Sequence, residues 1–567
     1  MKVVIVGGVA GGATAAARIR RLDEDAEVVI FERSGFVSYA NCGLPYYVGG
    51  VIKKPGELTL QTPQSFRERF GIDVRVSHEV TDIDTEGKTV SVTDLLTGDS
   101  WKESYDKLLL SPGAKPTKPR LAGADSENIF TLRTVEDTFR LKDALQRRSP
   151  KKVVIAGGGY IGIEAAENLR ALGIDVTMIQ RPKQLLSPLD YDMACGIHAK
   201  LREKGVKVKL GSSVEGFEHD GEKVTVLLKD EPALEADMVL LAIGVTPDTE
   251  LAVKAGLKMG IKGSIVVNDF METSAPDVYA VGDAVQVKHA VTGEDVLISL
   301  AGPANKQGRI AADNICGGHS RFEGSQGSSV IKLFDMTVAN TGINEKTAIE
   351  LGMDYDKIVL SPAAHATYYP GATTMTMKVI YEKETLRLLG GQIIGYDGVD
   401  KRIDVLAVAI SAGIRADKLK DLDLAYAPPY SSAKDPVNMA GFMVENIREG
   451  IVKQFHWDEV DDLRGREDVV LLDTRTMQEY VAGHGDGFIN IPLDELRGRL
   501  GELDRSKKIY VMCQTGLRSY IACRILSQKG FDCFNFSGGY RFYEMVMKEK
   551  SPACLSYPCG ADMKTAK

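Results

Sequence analysis

Two of the eight cysteines in this 567-residue chain stand where a thiolate could do chemistry. Cys42 is flanked by Asn41 and by Gly43-Leu44-Pro45, a polar, turn-forming setting unlike a core strand. The thiolate is the reactive form of cysteine, and cations or helix ends favour it. Cys513 opens the run Cys513-Gln514-Thr515-Gly516-Leu517-Arg518, between an apolar strand ending at Met512 and a helix predicted from Ser519. A loop wrapped at a helix N-terminus turns several N–H groups inward and cradles an anion. Arg518 adds positive charge there, so the loop suits a thiolate or a terminal persulfide. Cys195, Cys316, Cys523 and Cys533 lie in helix- or strand-like segments and read as core. Cys554 and Cys559 lie in a C-terminal tail and read as incidental thiols, with sulfur relay or a disulfide as the alternative. No C-x-x-C pair occurs, and six histidines (78, 198, 219, 289, 319 and 365) show no ligand spacing, so no metal is expected.

The elements that must position such thiols begin at the first residues. Residues 2–6 form a β-branched strand, followed by Gly7-Gly8-Val9-Ala10-Gly11-Gly12 and a strong helix opening. A second strand, from Glu27 to Phe31, ends on Glu32, with Arg33 beside it. This is the βαβ dinucleotide pattern: pyrophosphate at the helix N-terminus, a ribose hydroxyl on the acid. Val9 stands where the middle glycine is expected. Residues 151–156 form another strand, and Gly157-Gly158-Gly159-Tyr160-Ile161-Gly162 is a complete G-x-G-x-x-G. The next strand, from Asp175, ends on Gln180-Arg181. An acid there favours NAD and a base NADP, so this spot leaves NADH against NADPH open.

Ser38-Tyr39-Ala40-Asn41-Cys42-Gly43-Leu44-Pro45-Tyr46 resembles the S-[FY]-x-N-C-x-L-P-Y segment of coenzyme A disulfide reductases and the NADH oxidase and peroxidase group, in the pyridine nucleotide-disulfide reductase family. The resemblance runs to about residue 445. Glutathione-reductase relatives carry two cysteines four residues apart here; this chain has Ser38 and Cys42, so the sulfur reduced at Cys42 must come from another molecule or be a sulfenic acid. The resemblance implies FAD as cofactor, with Thr273 to Asp283 as its second motif, Asp283 at the ribityl chain, Ser111 and Gly113 in the short motif that returns the chain to the flavin domain's edge, and Gly282 and Asn41 among the cofactor-binding residues. Gly244, in Leu240 to Gly244, closes the nicotinamide domain in the family's manner. It also implies a homodimer in which Tyr368 and Tyr426 serve the partner's cysteine; Tyr369 and Tyr430 lie close enough for that assignment to slip. Coenzyme A contacts carry over to Thr14, Arg18, Arg21, Ser38, Asn41 and Lys434. Peroxide-reducing relatives hold a histidine in the first glycine loop, where this chain has Val9-Ala10.

Residues 456–567 restart an α/β pattern and resemble a single-domain rhodanese: Val469 to Arg475, Glu479-Tyr480, His484, Phe488 to Pro492, and the Cys513–Arg518 loop. One departure is Gly483-His484-Gly485-Asp486-Gly487, where an isoleucine-proline step usually follows the histidine. The whole chain thus resembles coenzyme A disulfide reductase–rhodanese fusions of the NADH-dependent persulfide reductase type.

The expected fold is α/β: two nested Rossmann-like dinucleotide-binding domains, an α+β dimerisation domain and a C-terminal rhodanese domain. The boundaries are 1–115 with 250–323 for FAD, 116–249 for NAD(P)H, 324–446 for dimerisation, 447–455 as linker and 456–567 for rhodanese. A net charge of −8 disfavours nucleic acid as a partner, and no apolar run reaches a membrane-spanning length, so the chain is expected in the cytoplasm. The function expected is NAD(P)H-driven reduction of persulfides, polysulfides or coenzyme A disulfides. The alternatives are an NADH oxidase or peroxidase working through a Cys42 sulfenic acid, and a redox-sensing flavoprotein whose rhodanese domain only docks. Which sulfur compound is preferred, and how sulfur would pass between Cys513 and Cys42, is not legible here.

Overall fold

The computed structural model describes residues 1–556. The chain folds into two compact units: Met1–Lys183 with Lys204–Gly327, and Gln184–Glu203 with the chain from Ser328 onward.

In the first unit, Lys2–Val6 is the central strand of a parallel five-stranded sheet. It pairs with Glu27–Glu32 on one side and Lys107–Leu110 on the other. Val3, Val4 and Ile5 are fully buried, the near-continuous apolar run of a strand covered on both faces. Val278–Ala280 returns from far along the sequence to pair with Lys107–Leu110. The chain between them builds a second parallel five-stranded sheet centred on Lys152–Ala156. The nesting expected from the sequence is therefore present. Helix Ala10–Leu22 packs closely on helix Ala301–Ile315 because Gly308 permits it: a Cβ there would lie 2.4 Å from the Gly11 carbonyl oxygen.

The second unit holds an antiparallel five-stranded sheet, from Ser329–Leu333 to Leu388–Gly395, with helices Val399–Ser411 and Pro436–Arg448. It also holds a parallel five-stranded sheet of the C-terminal domain. That sheet begins at Lys453–Phe455, which pairs with Cys533–Phe536. The helix ending at Arg448 and this edge strand occupy both ends of the stretch expected as linker, because three residues are too few to show a strand period.

Helix Tyr191–Glu203, expected among the nicotinamide-binding residues, belongs to this second unit. Buried ion pairs help to hold it there. Lys378, fully buried in strand Thr376–Glu382, donates to Asp192 at 2.8 and 2.9 Å, lies 2.9 Å from Asp190, and pairs with Glu345. Burial raises the Glu345 carboxyl, but Lys378 and Lys357 more than offset this and hold it at about 2. These three carboxylates have metal-ligand spacing, and the ammonium fills their centre. Trp457 Nε1 also donates to Asp192 at 3.1 Å, and Ser537 Oγ accepts from Val359 N at 2.8 Å, fixing the C-terminal domain on the antiparallel sheet. Removing one member of such a network leaves buried charge uncompensated, at about 3–5 kcal/mol. Lys378→Met is therefore expected to lower the melting temperature sharply at neutral pH. The loss should shrink as pH falls, because the stranded carboxylates take up protons; a loss that grows with acid would contradict the assignment.

Among the described residues, no helix is long and apolar enough to cross a membrane.

Candidate functional site

The first glycine turn is built by backbone contact. A Cβ on Gly12 would lie 1.9 Å from Gly7 O, and one on Gly7, whose φ is +94°, 2.1 Å from Ser111 O. Gly12 N donates to Ser111 Oγ at 3.1 Å, tying the turn to the segment that includes Gly113. Val9 stands where a glycine was expected with φ −103° and ψ −128°, so the position does not demand the left-handed φ that favours glycine. The N-cap residue Val9 supplies no side-chain cap to the helix that starts at Ala10, so apart from Gly12 N its first N–H groups are left for a pyrophosphate. Glu32 is buried and accepts from Gly8 N at 2.8 Å and Ser34 N at 2.9 Å; burial pushes its carboxyl up, against the pull of those two donors. Arg33 pairs with Asp248.

The second turn repeats this plan. A Cβ on Gly162 would lie 2.1 Å from Gly157 O, and helix Tyr160–Ala171 again has no side-chain cap. Gln180 Oε1 accepts from Gly158 N at 3.0 Å, as Glu32 does from Gly8. Gly159 has open space where a Cβ would stand, and Gly244 takes φ +116°. Two such cradles, one ending on an acid and one on an amide, fit FAD and NAD(P)H. Gly12→Ala is expected to force the first turn open and to lower bound flavin by on the order of tenfold, read as FAD per chain after purification; wild-type flavin content would contradict it.

Cys42 is exposed, on a short 3₁₀ turn, Asn41–Gly43, leading into helix Leu44–Val48. The segment is held to the first glycine turn by Ser38 N donating to Gly8 O at 2.8 Å, and Ser38 takes a left-handed φ of +48°. Arg133, which sequence reasoning missed, is the cation beside the cysteine. It donates to Asp283 Oδ2 at 2.6 Å and to Ala114 O at 3.1 Å. With the amide oriented to satisfy both partners, Asn41 donates to Arg133 O at 2.9 Å and accepts from Arg133 Nη1 at 3.2 Å. Desolvation and then Glu164 push the Cys42 thiol up, while Arg133 pulls it down. One signal was available: Arg133 lies between a buried strand, Ile129–Phe130, and Thr134, the cap of the next helix.

The carried-over coenzyme A positions are partly engaged within the chain. Thr14 Oγ1 donates to Asn305 Oδ1 at 2.5 Å, and Arg18 Nε to Asp313 at 2.6 Å; Arg21 is exposed. In the second unit, the Tyr368 and Tyr426 hydroxyls lie 2.7 Å apart, both exposed, and the bond to Tyr368 pushes the Tyr426 hydroxyl up. Tyr369 instead packs edge-on against His365. Tyr430 is exposed, and so is Lys434.

Cys513 ends the strand Lys508–Met512 and is fully buried. Its Sγ accepts from Gly516 N at 3.2 Å and from Ser519 Oγ at 3.3 Å. Ser519 was expected only as the helix start. Gly516 takes φ +99°, which lets the loop close. Arg518 forms a bidentate pair with Glu479, both bonds 2.7 Å, so its charge reaches the loop already partnered; that pairing holds the Glu479 carboxyl at about 2. Beneath the loop, buried Arg475 is gripped by Asp473, donates to Gln514 Oε1 at 3.2 Å and lies over the Tyr540 ring at 3.8 Å. The Gly483 carbonyl oxygen also accepts from Arg475 Nη2 at 2.7 Å. Cys195, Cys523 and Cys533 are buried; Cys316 and Cys554 are half-buried, and Cys559 lies outside the described residues.

Three family descriptions match: pyridine nucleotide-disulphide oxidoreductase over residues 1–308, its dimerisation domain over 328–436, and a rhodanese-like domain over 456–545. A coenzyme A disulfide reductase of Staphylococcus haemolyticus is 35% identical over 447 residues, 79% of this chain and all of that one. The structure of reduced Bacillus anthracis CoADR-RHD superposes with a TM-score of 0.95 at 45% identity, covering 98% of this chain and 99% of that one. A NAD-dependent persulfide reductase from A. fulgidus gives 0.90 at 38% identity, covering 96% and 100%. Likeness along the full length to relatives that share these domains places the chain in the pyridine nucleotide-disulphide oxidoreductase family, as a member with a C-terminal rhodanese-like domain.

Proposed function

We propose that this chain uses NAD(P)H and FAD to reduce persulfides, polysulfides or coenzyme A disulfides at Cys42, with Cys513 carrying sulfane sulfur. The observation that carries the reading is the setting of Cys42: an exposed free thiol, with Ser38 four residues before it, that must take its sulfur partner from outside. The Cys42 thiolate attacks the inner sulfur of R–S–SH, expels hydrosulfide and is left in a mixed disulfide. A coenzyme A disulfide gives the same adduct and expels a coenzyme A thiolate. An electron pair then cleaves that S–S bond, returning Cys42 as thiolate and releasing R–S⁻, which takes a proton. Bound FAD supplies the relay of that pair from the nicotinamide. Arg133 supports the thiolate, and Asn41 holds Arg133 in place.

In this reading two chains pair through residues 324–446, and Tyr368 and Tyr426 of the partner subunit face Cys42. In their mutual bond one hydroxyl donates and the other accepts, which leaves the acceptor's own proton for a leaving thiolate. Thr14, Arg18, Arg21, Ser38, Asn41 and Lys434 hold the coenzyme A moiety, Arg18 by exchanging its bond to Asp313 for a phosphate. Residues 1–115 with 250–323 serve FAD and 116–249 serve NAD(P)H. Cys513 takes up sulfane sulfur as a persulfide whose terminal charge the loop N–H groups hold.

The test is anaerobic NADH and NADPH turnover with coenzyme A persulfide, coenzyme A disulfide, polysulfide and glutathione persulfide in parallel, assaying sulfide and thiol. Turnover with none of them, together with rapid aerobic NADH oxidation, would favour the oxidase alternative; a water-forming NADH oxidase from Lactobacillus brevis is 29% identical with a TM-score of 0.76.

A further inference from the structure

Two residues with no task in the reaction above stand beside Cys42. Helix Leu44–Val48, which begins two residues after the cysteine, packs on the nicotinamide helix Tyr160–Ala171. The approach is close: a Cβ on Gly49 would lie 2.1 Å from Asn168 Oδ1. Across this contact Tyr46 Oη donates to Glu164 Oε1 at 3.4 Å. Glu164 lies two residues past Gly162, the last glycine of the nicotinamide turn. Lys142 secures the short helix as well, donating to Tyr47 O at 2.6 Å with its Nζ 3.6 Å from the Tyr47 ring centre.

The surroundings set how this pair holds protons. Desolvation pushes the Glu164 carboxyl up to about 7, against the Tyr46 bond and with a further push from Glu167. Desolvation and then Glu164 push the Tyr46 hydroxyl up to about 12, so it keeps its proton. Glu164, Arg133 and Asp283 act on Cys42, and Cys42 in turn acts on Tyr46; Tyr46 and Glu167 act on Glu164.

We propose that Glu164, working through Tyr46, is a positioning residue for Cys42 that takes up proton when the Cys42 thiolate forms and releases it when Cys42 is capped by sulfur. This deepens the proposed reaction and rests on Cys42 as its redox cysteine. Cleavage of the Cys42–sulfur bond by an electron pair from NAD(P)H leaves one negative charge on Cys42 Sγ, and the departing sulfur takes its own proton. The new charge makes an ionised Glu164 costlier, because like charges at close range disfavour ionisation. The Glu164 carboxylate therefore takes up proton from water, a fraction of one proton for a coupling of about one pH unit. When the thiolate attacks the next sulfane sulfur that charge is lost, and the proton returns to water. Glu164 rides on the helix that opens at the nicotinamide turn.

The measurement is the pH at which the Cys42 thiolate appears in the two-electron-reduced holoenzyme. It is read from the long-wavelength thiolate-to-flavin absorbance and, separately, from the pH dependence of alkylation by iodoacetamide. Glu164→Gln is expected to move both midpoints down by about one pH unit, a tenfold change in proton affinity. Tyr46→Phe keeps the carboxyl but removes its bond, and should move them less in the same direction. Glu164→Asp should return them toward wild type. Unmoved midpoints in both Glu164→Gln and Tyr46→Phe overturn the proposal; if Glu164→Gln fails to retain flavin, Tyr46→Phe decides alone. Cys42→Ser serves as the control: persistence of both signals in that variant would instead unseat Cys42 as the redox cysteine.

Discussion

Cys42→Ser is expected to cut NAD(P)H-dependent release of sulfide or coenzyme A thiol by at least about a thousandfold, while flavin reduction by NAD(P)H survives. The hydroxyl ionises far less readily than the thiol and cannot form the mixed disulfide through which the electron pair must pass. The fold has no reason to suffer. Cys42 is exposed, and its segment is held by the Ser38–Gly8 bond and by Asn41 on Arg133, none of which uses the sulfur. The variant should therefore bind FAD and bleach on adding NADH, yet fail to reoxidise with any persulfide or disulfide. Full turnover in Cys42→Ser would remove the cysteine from the mechanism. Loss of bleaching would mean that the substitution damaged the flavin site, and flavin content would report that directly.

What the sequence revealed about this site and what it concealed follow one physical division. Strand, glycine turn and terminal residue lie within a few dozen positions, so both turns could be read directly, although not that Glu32 and Gln180 would each accept from a turn glycine's N–H. Arg133 and Glu164 were not legible, because their meaning lies in partners far along the chain. Arg133 reaches Asp283, 150 residues away, and Tyr46 reaches Glu164, 118 residues away. Both contacts exist only because one nucleotide domain is inserted in the other. The same holds for Lys378, a lysine inside an otherwise buried strand whose partner Asp192 is 186 residues distant. That pairing ties helix Tyr191–Glu203 to the second unit. The tyrosines show the opposite case: resemblance left Tyr368 and Tyr369 hard to separate, and their surroundings differ, Tyr368 bonding to Tyr426 and Tyr369 packing on His365. In the rhodanese-like domain the cysteine loop was plain, but the pairing of Arg518 with Glu479 was not, since a basic residue in a loop does not announce which acid will hold it.

Cys513→Ser is expected to abolish transfer of sulfane sulfur from a donor such as thiosulfate to a thiol acceptor, by about a thousandfold or more, and to leave coenzyme A disulfide reduction within about twofold of wild type. The two halves of this result come from different physics. Sulfur transfer needs a nucleophile that can hold a second sulfur atom, and a hydroxyl cannot. The donors around Cys513 Sγ, Gly516 N and Ser519 Oγ, can stabilise negative charge on sulfur but cannot supply the missing atom. Coenzyme A disulfide already contains the bond that Cys42 attacks, so it needs no sulfane carrier. The loop should keep its shape, because Arg475, Asp473 and the Arg518–Glu479 pair fix it without the thiol. Glu479→Gln separates charge from shape: it frees Arg518 while keeping a side chain of similar size, so sulfur transfer should persist with an altered pH profile. The informative substrate is a persulfide presented with NADH. If Cys513 delivers sulfur to Cys42, sulfide release from thiosulfate plus coenzyme A falls to background in Cys513→Ser, whereas release from preformed coenzyme A persulfide does not. Equal loss with both would mean that Cys513 is needed for the reductase step itself. Equal retention would mean that the two thiols share a chain but not a substrate.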